Sequence, residues 1–146
     1  GMRRTLMAKF LFSTAVSMIV TMALVGASCA MLSIPLERIL YFTLTVGVMA
    51  FTLNALAVGL GAVYPNFRED NPSKIVSGFG GTLCLVLSFL YIIGMLSLMA
   101  ATSRWAFGGS SAVIFGLGWA LFLGGSFLLG WLPLRTGIRK MVSLEI

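Results

Sequence analysis

Four long apolar runs alternate with short polar stretches along the chain: about Phe10–Leu32, Ile39–Val63, Thr82–Ala100 and Ala112–Leu132. None contains Asp, Glu, Lys or Arg. Each is close to the roughly 20 apolar residues that a helix needs to cross a bilayer core. In hydrocarbon every backbone donor and acceptor has to be satisfied within the element, which favours helices. A spanning strand would alternate over about ten residues, and these runs do not. The pattern predicts an all-α integral membrane protein, one transmembrane domain over residues 1–146 with four spans and a basic tail over 133–146.

The polar stretches fix the expected orientation. Arg3, Arg4 and Lys9 precede the first span, Arg68 and Lys74 lie between the second and third, and Arg135, Arg139 and Lys140 follow the fourth. With four crossings all of these fall on one side, leaving Arg38 and Arg104 on the other. The positive-inside rule then puts both termini and the 64–81 loop in the cytoplasm, as in a multi-pass protein of a bacterial inner membrane. Tyr41, Tyr64, Trp105 and Trp131 lie near span ends, where an aromatic belt would place them. The first run also has the basic start and small-residue end of a signal peptide. Its apolar stretch is longer than a signal core, so the expectation is that it stays as a span.

Composition agrees with lipid as the solvent. Of 146 residues 59% are hydrophobic and 10% charged, with a mean hydropathy of +1.04; a soluble domain carries about 25% charged residues. The net charge of +6 raises nucleic acid as a partner. Here the basic residues flank apolar runs instead of forming a face, so membrane lipids are the expected counter-charge and no nucleic acid is.

Little catalytic chemistry is available. The chain has no His, and its two cysteines, Cys29 and Cys84, lie in different spans, so neither a metal cluster nor a Cys–His pair can be assembled. Glu37, Glu69, Asp70 and Glu145 are all outside the spans, which disfavours a proton-coupled carrier, whose ionisable group sits within the membrane. The G-x-x-x-x-G-K-[ST] phosphate loop is absent. The expectation is a non-enzymatic chain without a cofactor, any ATP hydrolysis residing in a partner.

Helix contacts in lipid depend on small residues. Ala112, Gly116, Ala120 and Gly124 recur every four residues in the fourth span. Thr43, Gly47, Ala50, Asn54, Ala57 and Gly61 form a stripe in the second, and Ser13, Ser17 and Thr21 one in the first. All three are expected to face protein, as packing seams or, on a sharper reading, as the lining of a substrate path. Asn54, Tyr91 and Trp119 are polar groups at mid-depth, expected to bond between helices.

The stretch Tyr64–Gly81 gathers Arg68, Glu69, Asp70 and Lys74, two prolines and three glycines. Pro65 should end the second helix, and Asn71–Pro72 reads as an N-cap followed by proline at the first helical position. Pro72, Ile75, Val76 and Phe79 share one face, as a short amphipathic cytoplasmic helix would; the alternative is that Pro72 starts a long third helix. Across its start, Gly61, Tyr64, Pro65, Phe67, Asp70, Asn71 and Pro72 match G-x-x-[YF]-P-x-F-x-x-[DE]-N-P. That pattern resembles permease subunits of bacterial ATP-binding-cassette exporters of the ABC-2 type. The basic start RRTLMAKFLFS is similar as well. The resemblance implies a membrane subunit that works with a separate cytoplasmic ATP-binding-cassette subunit, in a homo- or hetero-oligomer. Tyr64, Pro65, Phe67, Arg68, Glu69, Asp70, Asn71, Pro72 and Lys74 would form its ATPase-coupling loop, and Asn54, Tyr91, Gly116, Ala120 and Gly124 its packing or path-lining positions. Such permeases usually have six or more spans, so four spans point to the C-terminal membrane portion of one first, with a split subunit or a degenerate relative as the alternatives. The rival expectation is a small non-transporting membrane protein that scaffolds or regulates a larger complex.

Overall fold

This computed structural model describes residues 1–64, 71–103 and 111–144, and among them it is helical and free of strands. The helices are α1 (Met2–Met31), α2 (Leu36–Val63), α3 (Pro72–Ser77), α4 (Phe79–Thr102) and α5 (Ala112–Leu144). All but α3 are long and apolar enough to cross a membrane. Large apolar side chains stay exposed along them, Leu11, Phe12, Ile19 and Leu121 each by more than 60%. A soluble protein rarely leaves so much contiguous apolar surface; a multi-pass membrane protein presents it to lipid.

The helices outrun the apolar runs at both ends. The first begins at Met2, so Arg4 and Lys9 are helical. The fourth spanning helix, α5, continues through Pro133 to Leu144, so the basic stretch from residue 133 is helical as far as Leu144. Thirty-three residues at about 1.5 Å each exceed the roughly 30 Å of hydrocarbon, so the basic last turns of α5 extend past it. Between the second and third spans, α3 is a helix in its own right, broken from α4 at Gly78, whose backbone is extended (φ −68°, ψ 168°).

The connection from α1 to α2 closes in four residues, 32–35. Ser33 N–H donates to Ala30 O (3.2 Å) and Ile34 N–H to Cys29 O (3.3 Å), with Ser33 left-handed at φ 50°. This is a Schellman ending with serine where glycine is preferred. Ser33→Gly is therefore expected to stabilise the protein by about 1 kcal/mol, read as a higher melting temperature in detergent.

At the centre stands α2: 50% of its most apolar window is buried, against 11%, 11% and 17% in the other three spans. It runs antiparallel to α1 and α4 and parallel to α5. The α2–α5 pairing places Thr52 beside Ser126, Ala55 beside Gly130 and Gly59 beside Pro133 and Gly137. A Cβ on Gly59 would overlap the Pro133 carbonyl, and one on Gly137 would lie 2.7 Å from Gly59 O. The two backbones thus touch through Gly59 and Gly137. A second contact region joins α2, α4 and α5, where Phe122 and Tyr91 pack with Tyr41, Met49 and Met99.

Two expected stripes need revision. Ala112, Gly116, Ala120 and Gly124 are exposed, with nothing within 4 Å of a Cβ at Gly116 or Gly124, so within the chain they are not a packing seam. The buried face of α5 instead carries Gly118, Phe122, Ser126, Gly130 and Gly137. On α2, Gly47, Ala50 and Asn54 do face α1, Gly47 meeting Met22, but Ala57 and Gly61 are exposed. Ser13, Ser17 and Thr21 are half-buried, Ser13 against α2.

Candidate functional site at the basic end of the bundle

The antiparallel arrangement brings the start of α1, the end of α2, the start of α4 and the end of α5 to one end of the bundle. Tyr64 is where three of them meet. It precedes Pro65, whose ring disfavours helical torsions in the residue before it, and it leaves the helix at φ −119°, ψ 62°. Its N–H still donates to Leu60 O (2.9 Å). The carbonyl of Val63 accepts from Lys140 Nζ of α5 at 2.6 Å. Helix ends leave carbonyls without intrahelical partners and carry partial negative charge, so an ammonium group is a fitting cap. The same Nζ stands 5.5 Å above the Tyr64 ring.

On its other side Tyr64 packs edge-to-face on Phe79, the first residue of α4, with ring centroids 5.4 Å apart. Gly80 permits this: a Cβ there would come 2.8 Å from Tyr64 Cβ. The ends of the intervening loop are therefore pinned together and to the last turns of α5. Within it, Asn71 Oδ1 accepts from Ser73 N–H at 3.1 Å, capping α3 as the Asn–Pro pair predicts. Ser73, Lys74 and Ser77 are exposed.

A family model described as "Putative ATP-binding cassette" matches residues 1–146. The chain belongs to that family. No curated protein and no solved structure matches it. The family relation is thus to ATP-binding-cassette machinery, while the described residues form four spanning-length helices and the sequence has no G-x-x-x-x-G-K-[ST] motif.

For a chain of the ATP-binding-cassette family, the candidate residues other than the exposed Gly116, Ala120 and Gly124 of α5 divide into three sets. Tyr64, Asn71 and Lys74 lie at the basic end, with the Pro72 backbone at the start of α3. Pro65, Phe67, Arg68, Glu69 and Asp70 lie outside the described residues, as do Arg104, Trp105 and the side chains of Pro72, Ile75 and Val76. Asn54 and Tyr91 are inside the bundle, each bonded to another helix. Ser13 Oγ donates to Asn54 Oδ1 (2.7 Å), and Asn54 Nδ2 donates to Ala50 O (2.8 Å). The Tyr91 and Ser126 hydroxyls share a buried hydrogen bond of 2.7 Å. Trp119 packs edge-on against Tyr41 and Phe122.

Three contributors escaped sequence reasoning. Lys140 looks like one more basic flank residue, Gly80 like one of a flexible cluster, and Tyr41 like a belt aromatic. The structure makes Lys140 the cap of α2 and Gly80 the seat of Tyr64. Tyr41 donates its hydroxyl proton to Met99 O of α4 (3.1 Å). A signal for Lys140 did exist, since the last turn of α2 has no basic residue of its own to meet its carbonyls.

Proposed function

We propose that this chain is the membrane-spanning permease component of an ABC-type exporter, driven by a separate cytoplasmic ATPase. On this reading the ATP-binding of the family description belongs to the partner subunit, and the chain itself is not an enzyme. The protein sits in a bacterial inner membrane with its basic end in the cytoplasm, and loop 64–81 is where the ATPase pushes. The observation that supports this best is the pinning of that loop. Tyr64 ties the ends of α2 and α4 to Lys140 of α5, so a displacement of the loop would reach three spans together.

The test is association. With Asp70→Ala and Asn71→Ala combined, α3 loses its cap, worth about 1 kcal/mol, and the loop loses a charge. The tagged full chain, isolated from native membranes, is expected to carry about tenfold less ATP-binding-cassette subunit than wild type, a loss of about 1.4 kcal/mol. Stimulation of ATPase activity should fall in parallel. Unchanged recovery and stimulation, or no ATPase recovered with either protein, would leave the scaffold reading in place.

A further inference from the structure

We propose that the cleft between α1, α2 and α5 binds the acyl chain of an anionic phospholipid, with its headgroup phosphate held by Arg135. The cleft has a volume of about 450 Å³ and is walled by Phe10, Phe51, Ala55, Phe127, Trp131 and Leu134. Its two hydroxyl-bearing wall residues are already engaged. Thr52 Oγ1 donates to Val48 O (3.0 Å) and faces Ser126 O (3.4 Å), and the Ser126 hydroxyl is bonded to Tyr91. Both hydroxyls thus spend their bonds within the bundle and the rest of the wall, apart from the Trp131 indole N–H, is apolar, which suits a hydrocarbon chain.

Charge selects the kind of lipid. Trp131 is part of the wall, and the guanidinium of Arg135 stands 5.1 Å from its ring. That contact holds a cation at the mouth of the cleft, and a guanidinium so placed keeps its N–H fork for phosphate. Arg135 also lies in the part of α5 that packs beside the end of α2, where Arg139 and Lys140 follow. A site with an apolar floor and a fixed cation at its rim matches one lipid end to end. The inference does not depend on the exporter reading; it needs only the basic end of the bundle to lie at a lipid headgroup layer.

Native mass spectrometry of the delipidated full chain in detergent, given phosphatidylglycerol and phosphatidylcholine in equal amounts, tests it. Wild type is expected to retain one phosphatidylglycerol about fivefold more than phosphatidylcholine, the weight of a single basic residue at an anionic surface. Arg135→Gln should remove that preference, while Arg139→Gln, one turn further from Trp131, should keep it. Leu123→Trp fills the cleft from an exposed wall position and should reduce retention of both lipids. Equal retention of the two lipids by wild type, equal loss with Arg135→Gln and Arg139→Gln, or full retention with Leu123→Trp would each overturn the proposal. So would a co-purifying transmembrane segment that excludes lipid from the cleft.

Discussion

An alanine at Gly59 is expected to destabilise the bundle by about 3 kcal/mol or more, while an alanine two residues on, at Gly61, should be neutral or stabilising. At Gly59 the added methyl would overlap the Pro133 carbonyl carbon and sit 2.7 Å from Pro133 O. These are backbone atoms, and a backbone next to proline cannot swing aside as a side chain can. The helices must separate, and in lipid nothing replaces the lost contact, because helix association rests on close packing. Overfilling a well-packed site costs about 1–3 kcal/mol, occasionally more, and here the separation also opens the Gly137–Ala62 contact. At Gly61 a Cβ meets nothing within 4 Å, so alanine brings only its helix propensity, about 1 kcal/mol better than glycine. Thermal unfolding of the two variants in detergent is the measurement. Equal melting temperatures would mean that α2 and α5 do not meet at Gly59.

The same pair of glycines explains what could and could not be read from the chain. The four spans were legible because the solvent imposes them: a run without charge must satisfy its own backbone groups. Which face of each span meets protein is a weaker signal. On α2 the small residues form two stripes side by side, Gly47, Ala50 and Asn54 toward α1 and Thr52, Ala55, Gly59 and Ala62 toward α5. Sequence reasoning followed one of them to its end at Gly61. It could not tell that α2, as the central helix, needs both. On α5 the most regular repeat, Ala112–Gly116–Ala120–Gly124, points away from the other helices. The working face interrupts its glycines with Phe122 and Ser126, because a bulky ring fills one gap and a hydroxyl satisfies Tyr91. Spacing alone carries neither fact.

At the basic end, local chemistry was legible and long-range chemistry was not. Asn71 caps α3 because an Asx side chain reaches the N–H groups just after it, a relation written into two adjacent residues. The contact from Lys140 to Val63 spans 77 positions and depends on how far α5 continues. A helix ending at residue 132 would never have placed that ammonium there. Pro133 lies inside the helix, which runs through it. The ring sits at the closest approach of α2 and α5, where Gly59 makes room for its backbone. Tertiary packing has overridden a local helix breaker.

Truncating Phe122 to alanine should loosen α4 from the rest, at a cost of about 2–3 kcal/mol. Phe122 is fully buried and fills the place where α2, α4 and α5 meet, edge-on to Trp119 and packed with Tyr41, Tyr91 and Met99. In water such a deletion costs about 3–5 kcal/mol, part of it from apolar transfer. In a bilayer the transfer part is small, since a phenyl ring facing lipid is no less content than one facing protein. The cavity part persists: roughly 100 Å³ at about 24 cal/mol per Å³ gives about 2.4 kcal/mol. The polar links across the same region, Tyr41 to Met99 O and Tyr91 to Ser126, would be left to hold α4. Interhelical bonds of this kind contribute only about 0.6–1.7 kcal/mol each, so α4 should become the first helix to dissociate. Leu121→Ala, at a neighbouring position that is 61% exposed, truncates a large apolar side chain without making a cavity. It should leave the melting temperature within experimental error of wild type, whereas Phe122→Ala should lower it. If the two variants melt together, packing around Phe122 is not what holds α4 in place.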